Sequence, residues 1–264
     1  MGSEMCIRDR IKKLKLSFAQ EENKMKKIIL SAMLATFLFG SAYADTVRMG
    51  TEGAYPPYNF INDNGEVDGF ERDVGDLLCA RANLDCVWVI NEWDSIIPNL
   101  VSGNYDTIIA GMSITAERDE VIDFTQEYFP PSPSVFMALS GADVDVDSCV
   151  IAAQTSTIQA GYVAESGATL VEYATPEETI AAVQNGEADA VLADGDYLFP
   201  IIDESGGDFA AIGEVSIGGG IGMGIRESDG ALKAKMNAAI DTMKADGSLN
   251  TLIKKWFGKD ANTF

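Results

Sequence analysis

Four short segments of this chain carry side chains able to grip a small charged molecule. Gly50-Thr51-Glu52-Gly53-Ala54-Tyr55-Pro56-Pro57-Tyr58 puts a carboxylate and an aromatic ring in one turn after an apolar strand. A cation can pair with Glu52 and stack on Tyr55, an attraction of roughly 0.5–2 kcal/mol; the same spacing also suits a surface acid beside a core tyrosine. Ala110-Gly111-Met112-Ser113 leaves another strand with a glycine, which lets backbone N–H groups come close to a ligand. Arg118 stands five residues past Ser113, near a helix start. Its guanidinium can hold a carboxylate by two parallel hydrogen bonds, or pair at the surface with Glu117 or Glu120. Gln154-Thr155-Ser156-Thr157 precedes a helix, where free N–H groups and hydroxyls suit an anionic oxygen. Asp194 ends a strand, the place where α/β folds bind ligands, and can take an ammonium group or cap the next helix. Arg118 and Asp194 together offer complementary ends for an α-amino acid zwitterion, leaving Glu52 for a cationic side chain.

For these groups to converge the chain must alternate strands and helices, and its apolar pattern reads as α/β. Residues 47–51 read as a strand, 60–70 as a hairpin around Asn62-Asp63-Asn64-Gly65, and 71–82 as a helix with Val74, Leu77 and Leu78 on one face. Val87 to Ile90 is apolar and β-rich, 93–102 is helical with Ile96, Ile97, Leu100 and Val101 inward, and 106–110 is a short buried strand. Thr115 reads as a helix cap. The prolines of Pro130-Pro131-Ser132-Pro133 exclude a regular helix and mark a crossing into a second unit. That unit has strands at 150–153, 170–173 and 190–193, with helices from Ser156-Thr157 and over 176–185 and 196–203. Glycines between Gly218 and Gly224 mark a second crossing, and helices over 230–245 and 249–257 close the chain. Two crossings make a first lobe from both chain ends, 45–130 plus 224–264, around a second lobe over 134–218. The connections lie near 130–134 and 218–224.

Charge narrows the function classes. The 264 residues hold 19 Lys+Arg, 41 Asp+Glu and no histidine, a formal charge of −22. Without histidine there is no Ser-His-Asp triad, no histidine-ligated zinc or haem, and no imidazole base. So acidic a chain is unsuited to nucleic acid, whose phosphates are neutralised by Lys and Arg. Lys26-Lys27, the apolar run Ile28 to Phe39 and Gly40-Ser41-Ala42-Tyr43-Ala44 read as a signal peptide over 25–44, cleaved after Ala44. Its apolar run is shorter than the ~20 residues needed to span a bilayer. Residues 1–24 fit neither signal nor domain and read as a non-native or mis-assigned leader. Residues 45–264 then carry about −26, either a solvated surface suited to salt or a field that draws small cations. Cys79 and Cys86 stand seven apart, and a helix end folding back on a following strand brings such a pair within bonding distance. The spacing matches neither a redox CxxC nor a zinc knuckle, and Cys149 is single.

With these residues in view, the chain resembles the periplasmic solute-binding proteins of ABC importers for polar and basic amino acids. It is similar to the lysine/arginine/ornithine- and histidine-binding members. The resemblance spans residues 46–258 and is carried by Gly50 to Asn59, Gly69-Phe70-Glu71-Arg72-Asp73, Ala110 to Arg118 with Asp123-Phe124-Thr125, Gly186 to Ala190, and Lys254-Lys255-Trp256-Phe257-Gly258. It implies a two-lobed (type II) fold, each lobe a mixed sheet flanked by helices, joined by a two-segment hinge and closing on its ligand. It puts Arg118, the Ser113 and Gly111 backbone and Thr157 on the α-carboxylate, and Asp194 on the α-ammonium. Tyr55 and Trp93 would line a side-chain channel ending at Glu52. Basic-amino-acid binders of this kind can carry a bridge spaced like Cys79 and Cys86. Two positions depart from the family pattern: Ala110 and Gly111 stand where relatives often have serines, and Glu52 where an aspartate is usual. The implied function is capture of arginine, lysine or ornithine by a monomer, with no cofactor or metal, for an inner-membrane permease. Another polar amino acid or an opine is the runner-up ligand, and a dehydratase acting on prephenate or arogenate is the enzymatic alternative.

Overall fold

The computed structural model describes residues 46–264. The expected leader, signal peptide and cleavage point after Ala44 lie outside the described residues. The chain opens with strand β1 (Thr46–Thr51), whose Val47, Met49 and Thr51 are buried. A small hairpin sheet follows, of β2 (Ala54–Tyr55), β3 (Asn59–Ile61) and β4 (Val67–Asp68), with its turn closed by Gly65 N–H on the Asn62 carbonyl at 2.9 Å. Helix α1 (Phe70–Ala82) buries Phe70, Val74 and Leu78 along one stripe and Glu71, Gly75 and Cys79 along the next. These are the four-residue spacings of a core-facing helix. Gly69 begins this helix with φ at +119°, and a Cβ there would stand 2.5 Å from the Tyr58 carbonyl oxygen. Only glycine meets both conditions. Cys79 in the last turn of α1 is disulfide-bonded to Cys86 in β5 (Asp85–Ile90).

A short 3-10 turn at Trp93–Ser95 leads to α2 (Ile96–Val101), then β6 (Thr107–Ile108), α3 (Ala116–Asp119) and β7 (Asp123–Phe124). Ile96 and Leu100 are buried as expected, but Val101 is 52% exposed. It stands one position past Leu100, about 100° around the helix, and so faces water. The chain then leaves for β8 (Ser134–Leu139), β9 (Val150–Gln154), α4 (Ile158–Glu165), β10 (Thr169–Tyr173), α5 (Pro176–Asn185), β11 (Ala190–Asp194), α6 (Gly195–Glu204) and β12 (Phe209–Val215). It ends with β13 (Gly224–Ile225), α7 (Gly230–Ala245) and α8 (Ser248–Phe257), the two helices packing on α1.

Two five-stranded sheets result, ordered β5-β1-β6-β13-β7 and β10-β9-β11-β8-β12. Each has a parallel part, β5-β1-β6 in one and β10-β9-β11 in the other. Each is completed by antiparallel strands that adjoin the crossings: β13 on β6 and β7, and β8 on β11 and β12. Both sheets are therefore mixed, and the protein is a two-lobed α/β molecule. The two connecting segments run side by side, Phe129 pairing antiparallel with Ile221, with the Ile221 N–H on the Phe129 carbonyl at 3.0 Å.

Replacing Gly69 by alanine is expected to lower unfolding free energy by about 2–3 kcal/mol, since the methyl group meets fixed backbone. Replacing Cys79 and Cys86 together by serine is expected to cost about 2 kcal/mol, the contribution of closing a short loop. Chemical denaturation measures both.

Candidate functional site

A cavity opens between the lobes, with about 340 Å³ of empty space that is in part open to solvent. The nine residues singled out in the sequence, Glu52, Tyr55, Trp93, Ala110, Gly111, Ser113, Arg118, Thr157 and Asp194, all line it. Strand ends supply four of them: Glu52 follows β1, Ala110 and Gly111 follow β6, and Asp194 ends β11. Gln154, Ile158 and Gln159 complete the wall from the second lobe.

Glu52 is 9% exposed, so it is not a surface acid. Gln154 reaches across from the second lobe, its Nε2 donating to Glu52 Oε1 at 2.5 Å and to the Ala174 carbonyl at 3.1 Å. Loss of water pushes the Glu52 carboxyl up to about 7, against the Gln154 hydrogen bond, and the charge of Glu71 adds to the rise. A buried carboxylate facing only a neutral amide gains most from a cation.

Asp194 occupies the position before α6 but its side chain makes no cap there. Its carboxylate turns instead to the cavity, where Tyr55 O–H donates to Oδ2 at 2.8 Å and Gln159 Nε2 to Oδ1 at 2.9 Å. Burial raises its carboxyl to about 6; the Tyr55 hydrogen bond opposes this, Asp196 adds to it, and Arg118 and Gln159 oppose it. The Tyr55 ring is stacked on Tyr197 of the second lobe, centroids 4.3 Å apart. Tyr55 therefore belongs to the wall and to the contact between lobes at once.

Arg118 is carried by α3, whose start is capped by Thr115 accepting the Arg118 N–H at 3.2 Å. Its guanidinium donates to the carbonyls of Ser113 (2.8 Å) and Ser156 (3.4 Å) and lies 5.4 Å from the Trp93 ring centroid. These contacts, not Glu117 or Glu120, hold it. Burial lowers its pKa to about 10, opposed by Asp194 and Glu117. Trp93 Nε1 donates to the same Ser156 carbonyl at 3.3 Å.

The backbone beside Arg118 is equally ordered. Ile114 N–H donates to the Gly220 carbonyl (2.9 Å) and Gly222 N–H to the Met112 carbonyl (3.3 Å). Ser113 thus pairs with Ile221 in the non-hydrogen-bonded position, and its own N–H and C=O point away from Ile221. Gly111 departs from expectation. Its φ is +62° and its N–H donates to Glu71 Oε1 at 2.6 Å, so that amide is turned inward rather than offered to a ligand. Thr157 caps α4, its hydroxyl accepting the Ala160 N–H at 3.1 Å and donating to the Gln154 carbonyl at 2.6 Å. What this helix start can offer an anion is its first-turn N–H groups.

Gln154 and Gln159 escaped the sequence reading as individual site residues. Gln154 ends a parallel strand and Gln159 lies on the inner side of α4, both buried. A polar side chain at the carboxyl end of a core strand was the one available signal for Gln154.

Residues 47–259 match the bacterial extracellular solute-binding proteins, family 3. A solved periplasmic His/Glu/Gln/Arg/opine family-binding protein from Silicibacter pomeroyi, in complex with lysine, is 71% identical, with a TM-score of 0.81, covering 83% of this chain and 100% of its own. The lysine/arginine/ornithine-binding periplasmic protein of Escherichia coli (strain K12) is 32% identical over 255 residues, 88% of this chain and 97% of that one. An ancestral amino acid-binding protein described as a precursor of cyclohexadienyl dehydratase is 26% identical, with a TM-score of 0.74, covering 80% of this chain and 95% of its own. On the extent of these matches, and with a two-lobed α/β fold around one interlobe cavity, the chain belongs to the bacterial extracellular solute-binding proteins, family 3.

Proposed function

We propose that this protein captures a basic L-amino acid, arginine, lysine or ornithine, in the periplasm for an inner-membrane ABC permease. It would act as a monomer exported by the signal peptide over 25–44. The observation that carries the reading is Glu52, a buried carboxylate with only a neutral amide for company, in a cavity that also holds Arg118 and Asp194. Arg118, the Ser113 N–H and the first-turn N–H groups of α4 would hold the α-carboxylate. Asp194 would take the α-ammonium, and the aliphatic stem would run between Tyr55 and Trp93 toward Glu52. Relatives named for binding lysine and arginine support the choice of a cationic ligand. We take the lobes as 45–130 with 224–264 and as 134–218, hinged at 130–134 and 218–224. The alternation of sheet membership across β7, β8, β12 and β13 supports these limits. Closure would then be driven by contacts the ligand makes with both lobes together.

We also read the protein as a binder with no catalytic step. The dehydratase-related neighbour is itself named an amino acid-binding protein, and incubation with prephenate is expected to yield no aromatic product.

Glu52→Gln is expected to weaken arginine by about 30-fold or more, ~2 kcal/mol, while leaving neutral citrulline within a few-fold. An unchanged arginine affinity by titration calorimetry would remove Glu52 from the site. Affinity should also climb with pH, because both acids must be ionised to hold a cation. With Asp194 raised to about 6 and Glu52 to about 7, the logarithm of arginine affinity is expected to rise most steeply below pH 6. It should rise less between 6 and 7 and level off above. In the Glu52→Gln protein only the lower step should remain.

A further inference from the structure

Glu71 is fully buried, faces away from solvent and belongs to none of the ligand contacts described above. Its carboxylate receives three donors from three separate parts of the first lobe. Gly111 N–H donates to Oε1 at 2.6 Å, Tyr128 O–H donates to the same oxygen, and Asn59 Nδ2 donates to Oε2 at 2.7 Å. The Asn59 amide has no freedom to turn over, because its Oδ1 accepts the Gly53 N–H at 2.7 Å. Both carboxylate oxygens must therefore accept, which an ionised acid does and an amide cannot. None of its three partners is a cation, so the group is held by directed hydrogen bonds alone.

What these donors have in common is their place in the chain. Asn59 holds the N–H of Gly53, which adjoins Glu52; Gly111 lies two residues before Ser113; and Tyr128 precedes Phe129, the residue paired with the returning segment at Ile221. We propose that Glu71 is a positioning residue of the ligand cavity, its carboxylate fixing the Glu52 turn and the Gly111 turn relative to one another and to the crossing between lobes. It touches no ligand. It sets the separation between the acid that meets the side chain and the backbone that meets the α-carboxylate, and the inference rests on the basic-amino-acid reading given above. Gly111 is part of the device: with φ at +62° and the Tyr55 ring 3.5 Å from where a Cβ would stand, its peptide can turn inward onto Glu71.

The test uses Glu71→Gln and Glu71→Asp beside the wild type, with arginine and lysine titrated by calorimetry and Gly53 and Gly111 amide exchange followed by NMR. Glu71→Gln places an NH₂ against a donor whichever way it turns; Glu71→Asp keeps the charge but draws it back by one methylene. Both variants are expected to bind arginine and lysine tenfold or more weakly, by a common factor, with unchanged circular dichroism and faster Gly111 exchange. Affinities within twofold of the wild type in a folded variant would overturn the proposal, whatever happens to thermal stability. Should Glu71→Gln fail to fold, Glu71→Asp carries the same measurements. Should the wild type bind neither amino acid, the functional reading falls, and Glu71 is judged by exchange alone. Faster Gly111 and Gly53 exchange in a folded variant then supports the anchor, and unchanged rates overturn it.

Discussion

Carboxylates shielded from water, none of them ion-paired among the described residues, govern this molecule. Glu52, Glu71 and Asp194 are each surrounded by neutral donors: an amide at Glu52, an amide with a peptide and a phenol at Glu71, a phenol and an amide at Asp194. Transferring a charge from water is expensive, and hydrogen bonds return only part of the loss. Much of the remaining architecture serves to provide those bonds at fixed places. Strand ends deliver Glu52 and Asp194, the first turn of α1 delivers Glu71, the Gly111 turn brings a peptide N–H to Glu71, and the second lobe contributes the amides of Gln154 and Gln159.

The same economy explains why the two lobes meet where they do. Tyr55 donates to Asp194, Gln154 to Glu52, and Trp93 and Arg118 to the carbonyl of Ser156, so each of these bonds joins a residue of one lobe to a residue of the other. Ser156 is held at φ +58°, a conformation uncommon for a serine, and its carbonyl receives two donors from the opposite lobe. Apolar contact adds the Tyr55–Tyr197 stack. The groups that line the cavity are thus also the groups that hold the lobes together.

Local signals in the sequence were enough for much of this. The caps at Thr115 and Thr157 and the Asn62 to Gly65 turn act within a few residues, and their residue types declare them. Strand-end positions then put Glu52, Ser113 and Asp194 near one another once an α/β fold was assumed. Strands β8 and β12 were not read, because their pairing with each other and with β11 is antiparallel and depends on segments far apart in the chain. β12 is further disguised by a register shift between Ala211 and Gly213. Gln154 and Gln159 have meaning only across the lobe interface, and the inward turn of the Gly111 amide only beside Glu71, forty residues earlier. Such roles are properties of the packed molecule, and no window of sequence contains them.

The pairing of the two connecting segments has a mechanical consequence. A single strand joining two bodies lets them twist, slide and swing independently. Two strands bonded to each other at Phe129 and Ile221 behave as a ribbon, stiff against shear and torsion and compliant about one axis only. Relative motion of the lobes about this ribbon would be mainly a bend, and Ser113, which shares Ile221 with the ribbon, stands beside it. Residues near that ribbon travel least, so the cavity wall at Ser113 would keep its geometry while the walls farther out sweep toward each other.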